Sequence, residues 1–168
     1  MIIGFVGMMG SGKTLSLTRR VYNLHKKGYK VYSNMHFEFD YEPLTLELLL
    51  AYTNDPELFK DCVIVLDEIH IFIDARRSVS KKNVLISYFL TQTRKKNVKL
   101  FWTSQQERQA DIRLRQNTDV MVYCSNFEYD EEVFFINRNV LMDGREFKEW
   151  FRGEEYFGLY DTNQTISL

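Results

Sequence analysis

Eight consecutive residues, Gly7, Met8, Met9, Gly10, Ser11, Gly12, Lys13 and Thr14, carry the G-x-x-x-x-G-K-T spacing of a phosphate loop. Successive backbone N–H groups of such a loop, with the N-terminus of the helix that follows, surround a polyphosphate. A concave row of donors and the positive end of a helix dipole both favour anions. The Leu15 backbone completes the cradle, Lys13 reaches the terminal phosphates, and the Thr14 hydroxyl holds Mg²⁺. The expected ligands are ATP and Mg²⁺. A second run, Cys62-Val63-Ile64-Val65-Leu66, ends in Asp67-Glu68, which puts two carboxylates where open α/β sheets bind their ligands. Asp67 fits a second Mg²⁺ partner. Glu68, one residue on, can orient and polarise an attacking water, which hydrolysis needs and phosphate binding alone does not. The plainer alternative is an acidic pair that caps a helix.

These groups have to be positioned by alternating strands and helices. Residues 1–6 are an apolar run long enough for a buried strand, and residues 15–27 place Leu17, Val21 and Leu24 at helical spacing. That spacing leaves Arg19, Arg20, Lys26 and Lys27 for solvent, with Gly28 as C-cap. A strand is expected over 29–34, an aromatic and acidic connection over 35–43, and a helix over 45–52. After the Asp67-Glu68 strand come a basic loop over 76–82 and a helix over 84–96, with Val84, Leu85, Tyr88 and Phe89 on one face and Asn97 at its end. A strand over 98–102 runs into Thr103-Ser104-Gln105-Gln106; a short charged helix over 112–116 leads to a strand over 119–124. Beyond Asn126, aromatic strands around an Asp143-Gly144 turn read as an antiparallel addition to the sheet edge. The fold class is α/β, a phosphate-loop NTPase with a mainly parallel central sheet flanked by helices, in a single domain over 1–168.

Composition narrows the partners. The chain has 168 residues, 45% of them apolar, and a net charge of -1, so nucleic-acid contact would be local and not spread over a basic surface. Cys62 and Cys124 both fall in apolar runs and read as core residues of a protein in a reducing compartment. Two cysteines make neither a disulfide framework nor a zinc quartet. No signal peptide precedes the first strand, and no apolar stretch approaches the roughly 18–20 residues that cross a bilayer. The expectation is a soluble, cytoplasmic protein without a membrane span.

Three weaker features bear on mechanism. Ser104 and Gln105 end the strand placed beside Asp67-Glu68, so a side chain there can sense the γ-phosphate or the water, or simply be a solvated strand end. Arg113 and Arg115, two residues apart on one helix, cannot share a face. One of them could act on a neighbouring subunit's γ-phosphate, worth roughly 10³ to 10⁵ in turnover, or both could be solvated. Arg76, Arg77, Lys81 and Lys82 could touch nucleic-acid phosphates or form a solvated loop.

The phosphate loop, the LDEIH segment over 66–70, the runs over 93–106 and 111–119, and YFGLYDT over 156–162 together resemble the zonula occludens toxin-like group of the FtsK/HerA superfamily of DNA-pumping ATPases. That group includes assembly and packaging ATPases of filamentous and archaeal viruses. The resemblance implies an additional-strand phosphate-loop domain acting as a homo-oligomeric ring, with ATP between subunits and single- or double-stranded DNA as cargo. It also implies a capsid, virion or membrane docking partner and, for a viral protein, the host cytoplasm. By it, Lys13 and Thr14 hold phosphate and metal, Asp67 supports Mg²⁺ and Glu68 activates water. Gln105 is then the sensor, and Arg115 or Arg113 the trans-acting arginine. The toxin-like members carry a membrane anchor and periplasmic domain; without these, the expectation is the packaging branch, with a membrane-partnered phage assembly or export ATPase as alternative. The stretch over 7–31 also resembles the start of type II thymidine kinases, whose zinc-binding cysteines this chain lacks. A non-hydrolysing ATP switch is the third reading, against which Lys13, Thr14, Asp67 and Glu68 all stand.

Overall fold

Strands buried on both faces of a parallel sheet need continuous apolar sequence. Ile2–Val6 (β1) and Cys62–Leu66 (β4) are buried at every position, and Lys99–Ser104 (β5) at every position after its first. The computed structural model describes residues 1–45, 47–48, 51–52, 55, 57–69 and 97–161. The basic loop over 76–82, with Arg76, Arg77, Lys81 and Lys82, and the helix expected over 84–96 lie outside the described residues. Of the helix expected over 45–52, the described residues 47–48 and 51–52 are helical.

With Lys30–Ser33 (β2), Glu42–Pro43 (β3), Val120–Tyr129 (β6), Glu132–Leu141 (β7) and Glu146–Arg152 (β8), the described strands form one sheet in the order β3-β2-β4-β5-β1-β6-β7-β8. Every neighbouring pair from β3 to β6 is parallel, and β7 and β8 are added antiparallel. Register sets Leu66 beside Trp102 and Val6 beside Ser104. The carboxyl ends of β4, β5 and β1 are therefore level, which is where the candidate groups lie.

Alternation along the strands divides the core in two. Ile3, Phe5, Val63, Val65 and Phe101 pack against Leu17 and Val21 of the helix Lys13–His25 (α1). Ile2, Ile64, Leu66 and Trp102 face the other way, onto Tyr52, Phe59 and Leu114, the last from the short helix Ile112–Gln116 (α2). Asp111 caps α2, its carboxylate accepting from the Arg113 N–H at 2.8 Å.

Three expectations need correction. The connection over 35–43 ends in β3, a two-residue strand too short to leave a pattern. The strand expected over 119–124 does not stop there: β6 runs unbroken to Tyr129, so one strand is parallel to β1 and antiparallel to β7. Arg19 and Arg20 are not left for solvent, because β7 and β8 cover that flank of α1. Both guanidiniums pair with Glu149 of β8, Arg19 at 3.3 Å, and Arg20 also donates to Asn139. Asn137 and Asn139 face inward and are fully buried; Asn137 accepts from the Ser16 hydroxyl at 2.9 Å. Burial alone would raise the Glu149 carboxyl, but Arg20 and Arg19 hold it below the ordinary glutamate value.

Glu149→Ala leaves two half-buried cations without their anion. Hydrogen bonds to charged groups are worth roughly 1.5–3 kcal/mol, so the variant should lose about that much in chemical denaturation. Adding Arg20→Met should recover part of the loss, and additive effects would mean that the pair is not coupled.

Candidate nucleotide site

The loop leaves β1 at Gly7 and enters α1 through Gly12, whose left-handed φ of +84° makes it the N-cap. A Cβ at Gly12 would lie 2.1 Å from the Phe135 ring of β7, so both backbone conformation and space require glycine there. Asn126 of β6 donates to the Gly10 carbonyl at 2.7 Å. Met8 and Met9 are 78% and 83% exposed at the crest. Lys13 is only 6% exposed, and its ammonium donates to the Met8 carbonyl at 3.0 Å, across the mouth of the loop. The lysine is thus held over the place where phosphates would sit.

Facing it is the end of β4. Asp67 is 6% exposed, and its Oδ1 accepts from the Thr103 hydroxyl at 2.7 Å and the Thr14 hydroxyl at 3.3 Å. The Thr103 hydroxyl also accepts from the Glu68 N–H at 2.8 Å. Asn34, at the end of β2, clamps the Asp67 backbone from the other side: its Oδ1 accepts from the Asp67 N–H at 2.7 Å and its Nδ2 donates to the Asp67 carbonyl at 2.9 Å. Glu68 takes a φ of +49°, a region sparsely used by non-glycine residues, and Asn34 and Thr103 over-determine it. Neither residue was singled out from the sequence; each is an ordinary polar strand end until the sheet sets it beside Asp67.

Burial raises the Asp67 carboxyl above its ordinary 3.8; the Thr103 hydrogen bond opposes this, the Glu68 charge adds to it, and Thr14 and Lys13 pull it down. A hydroxyl and a carboxylate converging beside a phosphate cradle are hard oxygen donors of the kind Mg²⁺ takes, one or two from protein and the rest from substrate and water. The residues present fit that ion.

Lys13, Thr14, Asp67, Glu68 and Gln105 line one cavity of about 430 Å³. Gln105 is thereby brought to the site, whereas the Ser104 hydroxyl is buried and donates to the Gln106 carbonyl at 2.9 Å. Arg113 and Arg115 are not brought there. Arg113 pairs with Asp111 at 3.0 Å, and Arg115 Nε donates to the Ala110 carbonyl at 3.1 Å. The cavity wall also includes Phe135, Phe157, Tyr160 and Asp161. The last three belong to a C-terminal segment that runs from β8 over Leu15 to pair Tyr160 with Phe37. Only the resemblance over 156–162 pointed toward that segment.

A loop after the first strand, an acidic pair at the end of a nearby parallel strand and helix cover on the sheet define the fold of a phosphate-loop NTPase. Solved structures share it. The N-terminal domain of zonular occludens toxin from Neisseria meningitidis is 18% identical with a TM-score of 0.68, covering 95% of this chain and 98% of that one. The genome packaging NTPase B204 of Sulfolobus turreted icosahedral virus 2, in complex with ATP-gammaS, is 12% identical with a TM-score of 0.61, over 88% and 96%. The flagellar accessory protein FlaH of Methanocaldococcus jannaschii is 14% identical with a TM-score of 0.56, over 84% and 77%. At these identities the likeness is one of fold. No family model matches the chain, and no curated protein matches it in sequence.

A carboxyl raised on folding opposes stability as its ionised form accumulates. The cost is absent well below the ordinary value of 3.8 and complete above the raised one, so stability falls as pH rises between the two. Asp67→Asn should therefore raise the melting temperature of the ligand-free protein at neutral pH while abolishing any further rise with Mg²⁺ and nucleotide. A variant melting below the parent at neutral pH would contradict this reading of the buried charge.

Proposed function

We propose that the chain is an ATP-hydrolysing motor that translocates DNA, in the manner of a viral genome-packaging ATPase. The observation that carries this reading is the convergence of Lys13, Thr14, Asp67, Glu68 and Gln105 on one cavity at the level carboxyl ends of three parallel strands. The likeness to a fold represented by a genome packaging NTPase crystallised with ATP-gammaS supports it.

In this reading the triphosphate displaces the Met8 carbonyl from Lys13, and the ammonium moves onto the β- and γ-oxygens. Thr14 and Asp67 would hold Mg²⁺, which would supply neutralisation of the phosphate charge when bound. Thr103 and Asn34 keep Asp67 in place. Glu68, its backbone fixed by the Thr103 hydroxyl, takes a proton from the attacking water, and Gln105 contacts the water or the γ-phosphate. Arg113 or Arg115 reaches the next subunit's nucleotide in a ring, since within its own chain neither lines the cavity. Arg76, Arg77, Lys81 and Lys82 grip the DNA backbone, and a capsid, virion or membrane protein docks the motor. Cytoplasmic placement accords with this; no helix among the described residues is long and apolar enough to cross a membrane.

The nucleoside-kinase reading lacks support from the cysteines. Cys62 and Cys124 lie in different core clusters, each with its thiol pushed up to about 12 by burial.

Glu68→Gln should retain nucleotide affinity while kcat falls by roughly 10²- to 10⁴-fold, whereas Lys13→Ala should lose binding itself. Equal losses of binding and turnover in Glu68→Gln would make Glu68 structural. DNA of any sequence should stimulate hydrolysis in a salt-sensitive way, and replacing Arg76, Arg77, Lys81 and Lys82 with Ala should remove the stimulation and flatten the salt slope. Thymidine phosphorylation without such stimulation would favour the kinase.

A further inference from the structure

The cavity has two ends of different chemistry. Asp67, Glu68 and Gln105 mark the end where the γ-phosphate lies, so on the nucleotide reading the sugar and base leave the loop at the opposite end, over the first turn of α1. That end is apolar. Leu15 is buried there beneath Phe135, Phe151 and Tyr156, and Phe157 stands at the rim, 45% exposed. The Phe157 ring meets Phe135 edge-on, with centroids 6.2 Å apart and planes at 80°, and Phe135 itself lies against Gly12. One line of contacts therefore runs from the N-cap of α1 to an exposed aromatic ring. Gly153 fixes where that ring sits: a Cβ there would fall 2.6 Å from Phe157 Cζ and 2.4 Å from Phe135. Tyr160 packs against the same Leu15 cluster and spans toward the other end, where burial and then the Asp67 charge raise its hydroxyl.

Phe157 lies in the cavity wall, and a flat ring at that position offers a π-face to a second flat ring. We propose that Phe157 is the platform on which the nucleobase stacks, so that the site holds nucleoside triphosphates by the face of the base and does not select between adenine and guanine. This rests on the nucleotide reading of the loop and adds to it the means by which a nucleoside is preferred over bare phosphate. Every base has a π-face, so stacking is tolerant of base identity where edge hydrogen bonds are not.

The test measures binding of ATP, GTP and inorganic tripolyphosphate, each with Mg²⁺, to the parent, Phe157→Ala and Phe157→Trp. Stacking on an aromatic ring predicts that Phe157→Ala weakens ATP and GTP alike, by about 5- to 100-fold, with tripolyphosphate affinity unchanged and Phe157→Trp restoring both nucleotides. Wild-type ATP affinity in Phe157→Ala would overturn the proposal and leave the phosphate site standing. A loss shared by tripolyphosphate would make Phe157 a support of the loop and not a platform. A loss confined to ATP or to GTP would mean that the base edge is read. A parent protein that binds neither nucleotide nor tripolyphosphate would overturn the nucleotide reading itself, and the platform with it.

Discussion

Asp67 is a carboxylate with almost no access to water, and such a group is tolerated only where donors and cations replace its hydration. The donors to the carboxylate are Thr14 from α1 and Thr103 from β5, and Asn34, just past β2, clamps the backbone, its Oδ1 accepting from the Asp67 N–H. They meet because β2, β4 and β5 are neighbours in a parallel sheet whose ends are level. The strand order thus assembles the acidic half of the site. The phosphate half is attached to it by the Thr14 to Asp67 hydrogen bond, which ties the first turn of α1 to the end of β4.

The antiparallel strands at the opposite edge brace the loop from the other side. Asn126 holds the Gly10 carbonyl, Phe135 lies against Gly12, and Glu149 collects both arginines of α1. The helix bearing Lys13 and Thr14 is therefore fixed along its length by β7 and β8 and at its tip by Asp67. A helix held at both places can keep its N-terminal N–H groups aimed at a ligand without reordering them when the ligand arrives, which lowers the entropic cost of binding.

Much of this was legible in the chain. The apolar runs over 1–6 and 62–66, the loop spacing and the Asp67-Glu68 pair are contiguous signals, and α2 falls on the residues its charge pattern marked out. What escaped notice depends on register. Asn34 and Thr103 carry no local signal, because their role exists only once β2 and β5 flank β4. Arg19 and Arg20 were assigned to solvent by helical periodicity, which assumes that the face away from the core meets water. Two strands later in the sequence supply that face with Asn137, Asn139 and Glu149 in place of water. Gln105 was found because it follows a strand already placed beside Asp67. Arg113, which the sequence leaves between a neighbouring subunit's nucleotide and solvent, pairs within its own chain with the Asp111 carboxylate that caps its helix.

The segment over 153–161 closes a circuit in the chain: it leaves the last strand at one edge of the sheet, passes over Leu15 and pairs with Phe37 near the other. The order of synthesis gives this path a meaning of its own. The phosphate loop leaves the ribosome well before Tyr160, which completes its rim. While the residues between them are being made, the loop therefore exists without its roof. The nascent chain can acquire a finished pocket only after β8 has docked, so the gain of ligand affinity reports arrival of the native topology as a whole.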